Sequence, residues 1–364
     1  MKRVALCLAV LGSVLALHPT AAATAHANAP LRLPVMPLHD PWIVADTATH
    51  TYHLYTRNRA RMTHDPRLGI MEYTSRDLKH WTHPRVVFTL PPGTWADAGA
   101  WAPEVHRWRG RWYLFSTFYN PHRPLPAHGH HRPIRRATVL AVSDSLDGPF
   151  RLVRHGQPIV PKAKMTLDGT LYIGPSGHPW LVYAHEWVQI GDGTIDAMPL
   201  DDALARAGPS KVLFHASDAP WVDGKKQPNG NTIYVTDGPE LFRTRSGTLL
   251  MLWSSYDRHG YVEGLARSRS GSILGPWQQL PPLVRADSGH GMLFHRFDGQ
   301  LMMVLHRPFR HARGKLYLMR DTDDRVRIVR EAVELDGETH PVPPLPARSR
   351  PRRRATPPDT RTRP

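Results

Sequence analysis

Three aspartates stand at similar places in separate parts of this 364-residue chain: Asp40, Asp168 and Asp237, each followed directly by proline or glycine. Such an aspartate is often only a turn residue, but each of these three precedes a strand-like segment. Carboxylates that converge on one pocket can do acid/base chemistry, in which one activates water and a protonated one donates its proton to a leaving oxygen. A third carboxylate keeps that proton bound by like-charge repulsion. Hydrolysis of glycosides with inversion uses the first two at a separation of roughly 6.5–9.5 Å, which leaves room for the water.

The elements that must bring these aspartates together are short strands in a repeat. Each aspartate lies in one of five polar clusters: HDPWI (39–43), WAPEV (101–105), LDGTL (167–171), TDGPE (236–240) and SGHGM (288–292). An alternating apolar and polar run, which is typical of a strand, follows each cluster, at 51–56, 111–117, 179–183, 248–254 and 300–305. Units of about 60 residues with several strands each are typical of a β-propeller. Because each cluster opens its unit, closing the ring would direct all five clusters to one central pocket.

A second repeated motif begins with serine and ends with an aromatic residue, at 75–81, 143–150 and 268–277. We interpret it as the link between the third and the outermost strand of a blade. Two linked repeats predict an all-β fold, a five-bladed β-propeller that forms a single domain. A β-sandwich with the same number of strands remains the structural alternative, because strand patterns alone do not separate the two folds.

The motifs HDPWI, WAPEV, LDG, TDGP and SGHG together resemble those of glycoside hydrolase family 43, the five-bladed propeller arabinosidases, xylosidases and their relatives. The resemblance covers the chain from about residue 34 to 335. It implies that Asp40 is the general base and that Asp168 modulates the pKa of the acid. Asp237 falls where the family's general acid belongs, although that acid is usually a glutamate, which is one methylene longer.

Glu240 and Glu186 are the alternatives for the general acid. Glu240 lies three residues after Asp237, and an odd offset in an extended strand predicts that it points to the opposite face. This parity favours Asp237. Pro41 in turn predicts an extended backbone at Asp40, which suits the start of a strand that faces the pocket.

Six further residues are predicted to bind substrate: Trp42, Trp101, Glu104, Glu186, Trp187 and His290. The tryptophans can stack on the apolar faces of sugar rings, although most tryptophans in such a fold are core residues. By the family resemblance, Glu104 lies near the pocket without doing the chemistry. His290 matches a histidine on the central axis that in relatives often lies beside a hydrated calcium or sodium ion, so His290 is the predicted metal ligand. No organic cofactor is required.

The two ends of the chain are predicted to lie outside the folded domain. Residues 1–27 combine a positive start, an apolar run and a small-residue cleavage site, as in a secretion signal peptide, and the run is too short to span a bilayer. Residues 341–364 are rich in proline and arginine and predict a disordered tail, which leaves 28–340 as the propeller domain. The only cysteine lies in the signal, so the mature chain would have neither disulfides nor thiol chemistry.

The formal net charge of the chain indicates which kind of molecule it binds. The net charge is +16, to which the tail contributes strongly, and this favours an anionic polysaccharide, while export argues against nucleic acid. We expect a monomeric enzyme, extracellular or periplasmic, that cleaves glycosidic bonds of plant-type polysaccharides or oligosaccharides with inversion. An α-L-arabinofuranosidase or a β-xylosidase is the expected activity. The alternative is a carbohydrate-binding propeller without catalysis.

Overall fold

The computed structural model describes residues 29–126 and 131–336. The predicted signal peptide (1–27) and tail (341–364) lie outside the described residues and stay predictions. In the described ranges, no helix is both long and apolar enough to cross a membrane.

Twenty strands form five antiparallel sheets of four consecutive strands each. The first sheet contains β1 (Trp42–Asp46), β2 (Thr51–Arg57), β3 (Gly69–Ser75) and β4 (Arg85–Thr89). The second contains β5 (Ala98–Trp108), β6 (Arg111–Pro124), β7 (Ile134–Ser143) and β8 (Arg151–Leu152). The third contains β9 (Thr166–Ile173), β10 (Pro179–His185), β11 (Thr194–Pro199) and β12 (Lys211–His215).

A small hairpin, β13 (Lys225–Lys226) and β14 (Thr232–Ile233), separates the third sheet from the fourth. The fourth sheet contains β15 (Asp237–Arg243), β16 (Leu249–Asp257), β17 (Gly260–Ser268) and β18 (Trp277–Val284). The fifth contains β19 (Gly289–His295), β20 (Leu301–Arg307), β21 (Arg313–Asp321) and β22 (Val326–Glu331). Three one-turn helices are α1 (Ala60–Thr63), α2 (Trp187–Ile190) and α3 (Val333–Asp336).

The five sheets are the blades of a closed ring. The first strands line its centre, where β1 contacts β5 and β19, and β9 and β15 complete the circle. This confirms the predicted five-bladed propeller and excludes a sandwich. The second motif is also placed as expected, because β3, β7 and β17 each end at its first serine.

The ring closes by packing and hydrogen bonds, since each sheet contains only consecutive strands. The segment before β1 lies against the last blade, where the backbone N–H of Leu38 donates to the carbonyl of Ala312 at 3.1 Å. The guanidinium of Arg313 donates to the carbonyl of Pro34 at 2.7 Å. Leu33 and Leu38 pack so close to Gly314 that a Cβ there would lie 2.8 Å from Leu38 Cδ1.

Every first strand has a residue in the left-handed backbone region, either just before it or within its first five residues. These residues are Asp40, Ala102, Asp168, Gly238 and His290, with φ between 43° and 55°. In the last four blades the strand register shifts at this point, as in a β-bulge. A bulge redirects one side chain of a strand, and here it turns Asp168 and His290 to the ring centre.

The extended backbone predicted for Asp40 is wrong. Its φ is 51°, and its backbone N–H donates to Nδ1 of His306 at 3.2 Å. The proline that follows disfavours the right-handed helical region but leaves the left-handed region open to an aspartate, one of the residues that tolerate it best. The hydrogen bond from β20 therefore decides the conformation.

Candidate active site

A pocket lies on the ring axis, at the end of the propeller where the first strands begin. It has a volume of about 320 Å³. Its walls are formed by His39, Asp40, Arg57, Arg59, Trp101, Leu167, Asp168, Asp237 and Phe309. The three aspartates predicted from the sequence thus line one pocket although they belong to three blades.

His290 is the point on which the aspartates converge. Its Nδ1 lies 3.2 Å from Asp40 Oδ1, 3.8 Å from Asp237 Oδ1 and 4.0 Å from Asp168 Oδ2. The separation between Asp40 Oδ1 and Asp237 Oδ1 therefore cannot exceed the first two of these distances taken together. This upper limit reaches the short end of the range found between the two carboxyl groups of inverting glycosidases, roughly 6.5–9.5 Å.

Asp40 is held as a carboxylate. Burial alone would raise its pKa, but the charges of His290 and His39 outweigh burial and hold the pKa well below its usual range. The Nδ1 of His39 lies 2.8 Å from Asp40 Oδ1. His306 is neutral, because burial lowers its pKa to about 4 and its Nδ1 accepts the N–H of Asp40. An ionised Asp40 in this setting can accept a proton from water.

Asp168, which neighbours Asp237, instead favours its protonated form. Burial, and next the charge of Asp237, raise the pKa of Asp168 well above its usual range. The backbone N–H of Gly238 donates to Asp168 Oδ2 at 3.2 Å, and the hydroxyl of Tyr261 donates to Asp237 Oδ2 at 2.6 Å. Like-charge repulsion between two carboxyl groups this close disfavours the state in which both are ionised.

The two members of the pair differ in access to the pocket. The Asp237 side chain is 21% exposed and the Asp168 side chain only 4%. Asp168 is fixed from behind, since its backbone N–H donates to Thr117 Oγ1 at 2.8 Å. Asp237 is therefore the member that can hand a proton to a bound molecule, and Asp168 is the member that retains it in the pair.

The strand parity predicted for Glu240 is wrong. Asp237 pairs with Ser254 and Glu240 with Leu252, so the register shift between them puts both on the same side of the sheet. Glu240 nevertheless lies below the pocket, in a small closed cavity that it shares with Glu104 and Trp42. Burial, followed by the charges of Glu104 and Glu263, raises the pKa of Glu240 well above its usual range.

The other predicted binding residues are spread over several places. Trp101 lines the pocket, and the guanidinium of Arg136 lies 4.8 Å from its ring centre. Glu186 is buried in an ion pair with Arg136. Burial raises the pKa of Glu186.

Trp42 and Trp187 do not line the pocket. Trp42 is 8% exposed, and its indole N–H donates to the carbonyl of Val105 at 3.1 Å, so it is placed in the core. Trp187 begins α2 and contacts the ring of His131. Glu104 is buried below the pocket with one oxygen 2.8 Å from Nε2 of His106.

The metal predicted at His290 can be compared with the donors that are present. Nδ1 faces three carboxylates and lies within ion-pair distance of each of them. A nitrogen that carries a proton has no lone pair for a metal. Calcium also prefers six to eight oxygen ligands. Asp168, Asp237 and His290 nevertheless form a group whose ligand atoms lie within 4.8 Å of one another and could hold a metal ion, so the metal at His290 stays a prediction.

Sequence reasoning missed His39, His306 and Tyr261. His306 stands in an apolar run (301–307) that forms a strand, and it is fully buried there. A single polar residue in such an apolar run is a signal that the sequence does show. Tyr261 carries no such signal, because an aromatic residue in a strand predicts core packing. Its contact with Asp237 arises only from the folding of the fourth blade.

Comparisons with known proteins agree with this fold. A family model described as "Glycosyl hydrolases family 43" matches residues 32–325. An endo-arabinase from Bacteroides thetaiotaomicron VPI-5482 is 35% identical, with a TM-score of 0.72 over 82% of this chain and 99% of that chain. No curated protein matches the chain.

Two more distant structures share the fold. An endo-1,4-β-xylanase from Bacteroides thetaiotaomicron VPI-5482 is 21% identical, with a TM-score of 0.61 over 80% of this chain and 94% of that chain. An α-L-arabinofuranosidase from Lactobacillus brevis is 17% identical, with a TM-score of 0.60 over 79% of this chain and 93% of that chain.

Proposed function

Because the chain belongs to glycosyl hydrolase family 43 and is a glycosidase, we propose that it cleaves α-L-arabinofuranosyl linkages of arabinan with inversion. The observation that carries the mechanism is the convergence of three carboxylates from three blades within 4.0 Å of one histidine nitrogen. The 35% identity to an endo-arabinase supports the choice of arabinan over xylan.

In the proposed reaction, Asp40 takes a proton from the attacking water. It is suited to this because the charges of His290 and His39 keep it ionised. The water's oxygen forms a bond to the anomeric carbon on the face opposite to the leaving group, and the glycosidic C–O bond breaks.

Asp237 donates a proton to the departing oxygen. Asp168 supports this step because its raised pKa keeps a proton in the pair until the bond breaks. The Tyr261 hydroxyl orients Asp237 through Oδ2. The shorter side chain of aspartate then requires the sugar to lie close to the backbone of β15.

The test is hydrolysis of linear arabinan and of nitrophenyl α-L-arabinofuranoside and β-D-xyloside by the full chain. Proton magnetic resonance at early times then identifies the anomer of the released sugar. We expect release from the arabinosyl substrates and an inverted product. Release from the xyloside alone would overturn the substrate assignment, and a retained anomer would overturn the mechanism.

We also propose that the chain is exported and that its arginine-rich tail contacts anionic polysaccharide. Residues 1–27 and 341–364 carry this proposal by composition. Sequencing the amino terminus of protein secreted by an expression host should give Asn28 as the first residue. A mature protein that still begins at Met1 would contradict export by this signal.

A further inference from the structure

We propose that an arginine groove beside the catalytic pocket binds the carboxylate of a uronate residue in the glycan that the aspartates cleave. The arginine groove is formed by Arg57, Arg59, Arg61 and Arg313 and lies across the first and last blades. The proposal rests on the proposed function and adds a substrate class to it. That class is an arabinan that also carries uronate residues.

The groove is continuous with the catalytic pocket. A second cavity of about 500 Å³ adjoins the pocket and shares two wall residues with it, His39 and Arg59. Arg57 lines the catalytic pocket, while Arg61 and Arg313 line the second cavity. A chain bound at Asp40 can therefore extend into the second cavity without leaving the protein surface.

The catalytic pocket carries both signs of charge, because Arg57 and Arg59 lie in its wall together with the aspartates. The catalytic end holds all three carboxylates, and no aspartate or glutamate lines the second cavity. Among residues 29–126 and 131–336, Arg57, Arg59 and Arg61 have no carboxylate within ion-pair distance. By contrast, Arg67 in the same loop pairs with Asp65 at 2.6 Å. Three unpaired guanidiniums in one groove leave an excess of positive charge.

The arginines also repel one another. Burial, and after it the charges of Arg57 and Arg61, lower the pKa of Arg59. Below them, the hydroxyl of Tyr73 is fully buried, has no hydrogen-bond partner among the described residues, and feels the charges of Arg61, Arg313 and Arg59. An anion bound between these guanidiniums would relieve the repulsion, and a carboxylate matches the planar fork of arginine.

The loop that carries the arginines is held in place before any ligand binds. The buried amide of Asn58 donates to the carbonyls of Asp65 at 2.8 Å and Arg67 at 2.9 Å. Thr63 Oγ1 donates to Asn58 Oδ1 at 2.7 Å. On the other wall, Arg313 donates to three backbone carbonyls. A site that is ordered in advance loses less entropy when it binds its ligand.

The experiment uses pectic arabinan fragments that carry galacturonate, and the same fragments after their carboxyl groups have been reduced to alcohols. The two probes differ only in whether the sugar carries a carboxylate or a neutral hydroxymethyl group. Binding is measured by calorimetry on full-length Asp40→Asn, which should not consume the probe, and hydrolysis is measured on the active chain. The Arg61→Gln variant is compared with Arg67→Gln, which removes the same charge from the same loop outside the groove.

We expect the acidic fragments to bind about tenfold more tightly than the reduced ones, as one charge-assisted hydrogen bond of roughly 1.5 kcal/mol would give. Arg61→Gln should lose most of this preference, Arg67→Gln should keep it, and Arg61→Lys should keep part of it because the charge remains. Equal affinity for both probes, or an equal effect of Arg61→Gln and Arg67→Gln, would overturn the groove. Failure of the active chain to cleave any arabinan would instead overturn the proposed function, while the binding arm would still decide the groove.

Discussion

Nδ1 of His290 lies 3.2 Å from Oδ1 of Asp40, so a histidine of the fifth blade holds the aspartate of the first blade in its ionised form. Both residues occupy the same place in their repeats, at the left-handed start of the first strand. The ring thus uses equivalent positions of two blades for a base and for the histidine that faces it.

Replacing His290 with glutamine should move the acid limb of the pH profile of kcat/KM to higher pH. The histidine charge is the largest of the effects that oppose burial, so without it the pKa of Asp40 rises and the base becomes protonated at a higher pH. An opposite charge at this distance is worth about 1–3 pKa units, so a shift of about one pH unit or more is expected. His178→Gln serves as the control, because His178 is exposed and lines neither cavity. An unmoved acid limb would refute the role of His290.

Replacing Asp168 with asparagine should move the alkaline limb to lower pH. The like charge that keeps the proton in the Asp168–Asp237 pair is then gone, so the proton is lost at a lower pH. Above that pH no acid is left for the leaving group. The pH dependence of kcat/KM from pH 4 to 9 measures this, and an alkaline limb that stays in place would show that Asp168 does not hold the proton.

Replacing Gly238 with alanine should destabilise the chain and reduce activity. Gly238 has a φ of 47°, and a Cβ there would lie 2.9 Å from the ring of His290. Gly247→Ala is a matched control, because Gly247 also has a positive φ but has open space around its Cβ position. Both variants pay the backbone cost of about 1 kcal/mol, and only Gly238→Ala should lose more stability and disturb His290. Equal losses in urea unfolding would contradict the contact.

Dialysis against a chelator should leave both activity and the unfolding midpoint unchanged. Nδ1 of His290 lies within ion-pair distance of all three aspartates, so the charges around it are compensated by the protein itself. Activity and thermal unfolding are measured before and after treatment with EDTA, with calcium added back. A loss that calcium restores would support the ion predicted from the family resemblance.

Sequence patterns predicted the ring well because its units repeat. The predicted strand runs at 111–117 and 179–183 lie inside β6 and β10, and the serine motif marks the end of the third strand in three blades. The periodic burial of aromatic and branched residues carries this information locally. The convergence of Asp40, Asp168 and Asp237 then follows from ring closure.

What the sequence did not predict depends on bulges and on contacts between blades. The left-handed backbone of Asp40 is set by His306, which is 266 residues away in the chain. Glu240 lies on the same side of the sheet as Asp237, and not on the opposite side as predicted. The prediction assumed that side chains alternate along the strand, and a register shift between the two residues interrupts this alternation. The sequence is equally consistent with Trp42 stacking on a sugar and with Trp42 packing in the core. Only the burial of Trp42 against the second blade shows that it is a core residue.

The most direct test of the central claim compares Asp40→Asn and Asp237→Asn on two aryl arabinofuranosides, one with a leaving group of low pKa and one of high pKa. Both variants should lose nearly all turnover of the second substrate while keeping the unfolding midpoint of the parent. Asp237→Asn should recover much of its rate on the first substrate, because a good leaving group needs no proton, and Asp40→Asn should recover none. Recovery by Asp40→Asn, or near-normal activity of either variant, would contradict the assigned base and acid.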